Sequence, residues 1–462
     1  MTALAIMKKE KLADMETPVS AYLKLCRNRP DSFLLETVET KDVTGRYSII
    51  AWQPIAGLEL QHDRLITWDT DGETQLIPAD FFPAIRKKLR ELDAESPLGL
   101  PAVGSLMGFV GYDAVRLIER LPAVKPSSLP VARLVYPSCF VVFDHVRRMM
   151  ILIAIDRDPA GCGEKLREME RELDHPLVLK SGTVGMNFKA PPKERFMDAV
   201  DKSKEYIRAG DIFQVVLSDN FQGETDLSPF QLYRRLRVAS PSPYQFFLNF
   251  GQYQLLGSSP ETLVKVRDRV VTVRPIAGTR GRSDNPARDR ELEMEMMSCG
   301  KELAEHVMLV DLGRNDVGRV SKYGTVRVDP YMAVERYSHV MHIVSQVQGQ
   351  LRDDLDAVDA FMAGFPAGTV SGAPKVRAME IIDELESESR GPYAGAAGYF
   401  GPNGDLDTCI AIRTVLFEGP RFTIRVGAGI VADSIPEMEY KEISNKAAQS
   451  LHALRIAAEG AL

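Results

Sequence analysis

Apolar and polar positions alternate with a period of two through much of the first third of the chain, cut into short runs by Gly, Asp and Pro. DSFLLETVE, GRYSIIAWQ and DRLITWDTD therefore predict strands, as do the longer apolar runs VARLVYPSCFVVFDHV and RRMMILIAI. One helix is predicted before them, in VSAYLKLCRN from Pro18, and residues 1 to about 15 read as a loose, charged leader. Such a run of strands ahead of the first long helices predicts a mainly antiparallel α+β layout. The polar stretch from about 158 to 195 ends in KAPPKERF and predicts a boundary, since paired prolines favour extended chain. This places an N-terminal domain over 16–157 and a second over 190–456.

Beyond that boundary both periods occur. KERFMDAVDKSKEYIRAG has helical spacing with a stop at Gly210, and DIFQVVLSDNF, YQFFLNF, YQLLGSS and LVKVRDRVVTVRPIAG read as strands and turns. RELEMEMMSCGKELAEHVMLVDL, AVDAFMAGF and PKVRAMEIIDELE read as helices. The strands TCIAIRTVLF and RFTIRVGAGIV precede a last helix from about Met438.

Composition changes this picture little. Of 462 residues, 45% are hydrophobic and 26% charged, close to globular averages, which argues against a disordered or fibrous chain. A net charge of -7 gives no basic footprint for nucleic acid. The longest purely aliphatic run, MMILIAI, is too short to span a bilayer, and KKEK follows MTALAIM where a signal peptide would need its apolar segment. Neither membrane residence nor export is expected. Cys26, Cys139, Cys162, Cys299 and Cys409 lack C-x-x-C spacing and are odd in number, which fits a reducing, cytoplasmic setting. There is no HExxH pair and no GxxxxGK[ST] loop, and RVGAGIVADS has Ala432 where a dinucleotide fingerprint needs its third glycine.

Candidate chemistry lies in the C-terminal half. Glu302 with Glu305, and Glu439 with Glu442, are E-x-x-E pairs that put two carboxylates on one helix face. If the pairs converge they make an all-oxygen site suited to Mg²⁺; if not, they are solvated faces beside Lys301, Lys441 and Lys446. FPAGTVSGAPK is a loop before a helix, with Pro374 suited to a first turn and free N–H groups for a carboxylate or phosphate. Arg413 lies in an apolar strand, where an unpaired cation would cost several kcal/mol in rough terms, so it needs an anion from the protein or from a substrate. His342 sits among apolar residues and, taken alone, reads as a satisfied core histidine rather than a catalytic one. In TVRPIAGTRGR a single methyl, Ala277, stands at the centre of a cationic turn, which allows close approach of a helix or a substrate.

GSSPE, PIAGTR, AEHVMLVDLGRND, YSHVMHIVSQVQG, FPAGTVSGAPKVRAMEIIDELE, RGPYAGAAGYF, DTCIAIRT and GAGIVADSIPEMEYKEISNKA together resemble the chorismate-utilising enzymes, and within them the anthranilate synthase component I family. LLETVE and GRYSIIAWQP resemble that family's N-terminal, tryptophan-regulatory part. The resemblance implies a large antiparallel β-sandwich core flanked by helices, with the site in a cleft, and it implies Mg²⁺-bound chorismate. Glu305 and Glu442 match the family's direct metal ligands, and Glu302 and Glu439 its water-mediated ones. Thr369, Tyr393, Arg413, Gly429 and Lys446 match substrate-contacting positions, with Gln214, Ala277, Gly278, Thr279, Gly427 and Ala428 beside them. Lys446 is also placed with the catalytic residues. Glu261 matches the general acid for the departing ring hydroxyl, and His342 the active-site histidine that assists elimination.

The implied reaction adds ammonia to chorismate and eliminates pyruvate, by way of aminodeoxyisochorismate, to give anthranilate for tryptophan biosynthesis. Sister isochorismate and salicylate synthases carry a lysine at the position of Gln214, and aminodeoxychorismate synthases commonly carry one at the position of Ala277. Neither is present, so the nucleophile must come from outside. No cysteine sits in a G-x-C-x-G elbow, which implies a separate glutamine amidotransferase subunit and a hetero-oligomer. The family's tryptophan feedback site maps to Glu36, Thr37, Pro243, Tyr244 and Gln245. LLET and SPSPYQ stand where LLES and NPSPYM are usual, so Thr37, Ser240 and Gln245 are expected to weaken or retune L-tryptophan binding. Alternatives are an aminodeoxyisochorismate synthase without elimination, an aminodeoxychorismate synthase component I, and a silent tryptophan sensor.

Overall fold

A computed structural model describes residues 4–26, 29–37, 45–92, 99–122, 124–177, 185–337 and 340–458. Every strand pairing among them is antiparallel. The fold is the α+β, helix-flanked sandwich expected from the sequence.

One face of the sandwich runs from Ala5–Leu12 through Met149–Asp156, Ala132–Asp144, Tyr47–Leu60, Ser32–Glu36, Tyr244–Asn249, Tyr253–Ser259, Thr414–Glu418 and Arg421–Ile430 to Gln214–Thr225. The other runs from Val347–Gln350 through Val270–Val273, Thr262–Arg267, Leu406–Ile410 and Ala396–Phe400 to Leu106–Val110. Leu106–Val110 closes onto the far half of Ala132–Asp144. Strands from both sides of the 158–195 stretch thus pair directly, and one apolar core draws on both. A separate three-stranded ribbon, Ile276–Gly281, Val340–Val344 and Ala333–Arg336, carries a small cluster of Met296, Met341 and Ile343 under the helix Pro286–Ser298.

Four expectations need correction. The charged leader is a strand, Ala5–Leu12, paired along its length with Met149–Asp156; its alternating Lys and Glu suit an exposed edge that must not recruit another chain. The polar 158–195 stretch holds a helix, Pro159–Asp174, capped by Asp158 and burying Cys162, Leu166, Met169 and Leu173. The long helix read across RELEMEMMSCGKELAEHVMLVDL is two helices, Pro286–Ser298 and Gly300–Gly318, broken at Cys299 in an extended conformation. Finally, Arg413 is not inside a strand. TCIAIRTVLF contains a kink, with Arg413 at φ 50° between Leu406–Ile410 and Thr414–Glu418.

That kink matters because it crosses from one sheet of the sandwich to the other, and a second crossing lies against it. Tyr253–Ser259 and Thr262–Arg267 belong to opposite faces, and Pro260 and Glu261 span the gap. The two crossings are stitched together by backbone hydrogen bonds, Ser258 N–H to Arg413 C=O at 3.2 Å and Ile410 N–H to Glu261 C=O at 3.0 Å. A carboxyl and a guanidinium are thereby fixed side by side at the seam.

Candidate functional site

Glu261 is only 9% exposed. Burial pushes its carboxyl from 4.5 up to about 7, against smaller opposing effects of the Thr369 hydroxyl and the Arg413 charge. Arg413 forms no ion pair with any described residue, and burial lowers its pKa despite Glu261 nearby. The protein therefore supplies the anion that this position demands only in part, through the fraction of Glu261 that is ionised. Thr369, in the short turn Gly368–Val370, has a buried Oγ1 with no hydrogen bond of good geometry.

His342 projects from the ribbon strand Val340–Val344, 5% exposed, directly opposite Thr279. Its Nδ1 lies 3.0 Å from the Gly278 carbonyl and 3.0 Å from Thr279 Oγ1, so a proton on Nδ1 satisfies the carbonyl and leaves Nε2 as the basic nitrogen. Burial lowers its pKa, with Arg413 adding to the effect. A bulge between Ala277 and Thr279 makes this approach possible, with Gly278 at φ 64°. A Cβ on Gly278 would lie 3.1 Å from Glu302 Oε2, so the turn lies against the first acidic pair.

The two E-x-x-E pairs sit at the starts of Gly300–Gly318 and Pro436–Ala458. Burial raises Glu305, and Glu442 and Glu302 raise it further; burial likewise raises Glu439, with Glu442 adding to it. The four carboxylates therefore act on one another across two helices. Glu302 Oε2 is buried without a partner, while its other oxygen accepts from Arg280 at 2.7 Å. Glu442 is held by Lys446 at 2.7 Å, and Lys446 also donates to the Gly427 carbonyl at 2.9 Å. Among the described residues no three His, Cys, Asp or Glu side chains are drawn together as a ready-made metal cage. An orphaned buried oxygen among mutually repelling carboxylates nevertheless fits a hard, oxygen-seeking cation.

Gly427 and Gly429 lie on one face of Arg421–Ile430, and Ala428 on the other. A Cβ at Gly427 would fall 2.6 Å from Tyr393 Oη, and one at Gly429 would fall 2.5 Å from Gln214 Nε2. The glycines thus let Tyr393 and Gln214 lie flat against the strand. Ala428 is fully buried in the apolar core, so its methyl turns away from this face and only its backbone remains available. Tyr393 rests on Arg390, which with Arg425 clamps Glu386 at 2.6 and 2.7 Å. The two cations hold the Glu386 carboxyl down at about 2 despite its burial.

Contacts and electrostatic coupling thus connect the expected catalytic, substrate and metal positions except Gln214 and Gly429, which meet each other and share only the strand of Gly427, Ala277, whose methyl is buried, and Ala428. Arg280 was missed, although it stands two residues beyond Gly278 in the same turn. The Glu386, Arg390 and Arg425 support was missed as well, because no local spacing joins those three.

The expected regulatory residues form a second group. Gln245 pairs with Glu36 across neighbouring strands. Glu36 accepts from Tyr233 at 2.7 Å and from Arg237 at 2.7 Å, two partners the sequence reading did not name. Gln245 donates to the Arg237 carbonyl at 2.9 Å. Pro243 precedes Tyr244, whose hydroxyl bonds Asp407 at 2.8 Å and lies 3.0 Å from Thr262 Oγ1. Thr37 is exposed, and its hydroxyl reaches the Tyr47 carbonyl at 3.3 Å.

The family model for chorismate binding enzymes matches residues 32–452, across both halves of the sandwich. Anthranilate synthase component 1 of Cereibacter sphaeroides is 46% identical over 474 residues, covering 97% of this chain and 93% of the relative. The chain belongs to the anthranilate synthase component 1 family. Another member, from Pseudomonas aeruginosa, is 44% identical over 97% of this chain and 95% of its own length. Anthranilate synthase component I from Streptococcus pneumoniae superposes with a TM-score of 0.79 at 36% identity, covering 95% of this chain and 99% of that one. The menaquinone-specific isochorismate synthase of Escherichia coli shares the fold, with a TM-score of 0.74 over 98% of this chain and 95% of that one, at only 20% identity.

Proposed function

We propose that the enzyme converts chorismate and ammonia to anthranilate, pyruvate and water. One observation carries the reading: Glu261, whose carboxyl burial raises to about 7 so that a substantial share stays protonated near neutral pH, stands beside Arg413, a cation with no ion-pair partner among the described residues. That couple matches a substrate with a carboxylate to anchor and a hydroxyl to expel.

The enolpyruvyl carboxylate of chorismate takes the place of Arg413's missing anion, with Thr369 Oγ1 and Tyr393 as further donors. Glu261 gives its proton to the C4 hydroxyl, which leaves as water while ammonia bonds to C2. Hydroxide is a poor leaving group, so an acid poised near neutrality supplies what the step needs. In the second step the C2 proton passes to His342 Nε2, which burial keeps neutral and so free to accept it, and the enolpyruvyl group leaves from C3 as the ring aromatises. Gly427 and Gly429 keep the wall flat enough for a ring to approach, and Lys446 fixes that wall to the terminal helix.

Glu305 and Glu442, with Glu302 and Glu439 behind them, would hold Mg²⁺. When bound, the metal supplies positive charge for the ring carboxylate. Gln214 and Ala277 offer no amine, so the nitrogen comes from solution or from a second subunit. Membership of a component 1 family implies a partner component, and a glutamine amidotransferase that releases ammonia fits that need. The Glu36, Thr37, Pro243, Tyr244 and Gln245 group is the candidate site for inhibition by L-tryptophan. No helix among the described residues is long and apolar enough to cross a membrane.

The test is turnover of chorismate with Mg²⁺ and ammonium by the purified chain, followed by anthranilate fluorescence and pyruvate release. Accumulation of an unaromatised amino acid with no pyruvate would show that elimination is absent. Heat released on adding tryptophan, with none on adding chorismate, would identify a sensor.

A further inference from the structure

Against the Glu261 crossing lies a partly open cavity of about 40 Å³, walled on its far side by the helix Gly300–Gly318. It adjoins the substrate site through Glu261 and Thr369, while Arg413, Tyr393, Gly427 and Gly429 do not line it. Its polar lining comprises Glu261, Thr262, Arg274, Asp316 and Thr369, and the rest is apolar. One buried polar atom of this lining, Arg274 Nε, lacks a partner, and Thr369 Oγ1, beside the Glu261 carboxyl, makes no hydrogen bond of good geometry. Such an orphan is costly in a dry interior, and a water-sized guest needs only about 10–15 Å³ together with two to four polar partners. The space therefore takes two or three such guests.

The charges in this lining are already neutralised from within. Asp316 is bound to Lys375 at 2.9 Å, and Arg274 is paired with Glu335. An ion entering here would find no free countercharge, whereas a small neutral molecule would find a donor at Arg274 Nε and a hydroxyl at Thr369.

We propose that this cavity is a side site for a small neutral hydrogen-bonding molecule, ammonia moving toward the ring or water moving away from Glu261. The reaction consumes one such molecule and releases another next to this carboxyl, and the substrate-facing wall is closed by the ring while both must move. The inference rests on the role given to Glu261 above. If that role is wrong, the wild-type enzyme fails to make anthranilate from ammonium; if only the cavity assignment is wrong, the wild type works and its filled variants behave like it.

Leu309→Phe and Ala367→Leu fill the cavity from two different elements and leave Glu261, Arg413 and His342 themselves unchanged. Ammonium-dependent turnover is measured for each variant that retains the thermal transition of the wild type. A rise in KM for ammonium of about tenfold or more, with the chorismate KM within about twofold, assigns the site to inbound ammonia. A fall in kcat of similar size at saturating ammonium, with a larger solvent deuterium isotope effect, assigns it to outbound water and its proton. Unchanged ammonium KM and kcat in both folded variants overturn the proposal. A high-resolution crystal structure gives an arm that does not depend on variants: ordered water on Arg274 Nε or Thr369 Oγ1 is expected, and a dry cavity contradicts the assignment.

Discussion

Replacing Glu261 by Gln isolates the proton this account depends on. The folded protein binds that proton more tightly than the unfolded chain does, since burial moves the carboxyl from 4.5 to about 7. At about 1.36 kcal/mol per pH unit, keeping the group ionised in the folded state costs roughly 3 kcal/mol. The sign follows from the direction of the shift. Below about pH 4.5 both states are protonated and nothing is lost; as pH rises from there through 7, the native state gives up its advantage, and above 7 the loss is complete. Gln mimics the neutral acid at every pH. The stability of Glu261→Gln relative to wild type should therefore increase by roughly 2–3 kcal/mol between about pH 5 and pH 8, read from paired urea unfolding curves. In turnover, wild-type kcat/KM should fall above about pH 7, and the variant should lose about 10²–10⁴ in rate and with it that limb of the profile. A stability difference that stays flat with pH would show that the carboxyl is ionised in the folded protein, and the general-acid assignment would go with it.

Other perturbations test the neighbouring groups. Arg413→Met removes a buried cation with no ion-pair partner among the described residues, so it should raise the thermal transition while raising the chorismate KM by about tenfold or more. Gly429→Ala places a methyl against Gln214 and against no other side chain within 4 Å; adding Gln214→Ala should recover activity, with a coupling of about 1 kcal/mol or more in the double-mutant cycle. Mg²⁺ at about a hundred times its dissociation constant should stabilise the wild type by about 2.7 kcal/mol in thermal unfolding, and Glu305→Gln should abolish most of that gain.

Much of this was written locally in the chain. Strand alternation and the Gly210 stop need only neighbouring residues, and Gly210 does end its helix at φ 83°. The two acidic pairs were visible because helical spacing fixes which face they share. What escaped depends on pairing across the sandwich. No window of sequence shows that Pro260–Glu261 and the kink at Arg413 are adjacent crossings, since their contact is set by strands far apart in sequence. The N-terminal strand was hidden by its own edge chemistry, Lys and Glu standing where alternation would otherwise be apolar. Arg280 reads as one more cation in a basic turn until the helix carrying Glu302 is packed against it.

The central claim is that this chain aromatises chorismate with a nitrogen it does not itself supply. The most direct measurement is mass spectrometry of a reaction with chorismate, Mg²⁺ and ¹⁵N-ammonium and no other nitrogen donor. Fully labelled anthranilate with one equivalent of pyruvate is the predicted result. An unaromatised adduct, a 4-amino product or a covalent enzyme adduct would contradict it.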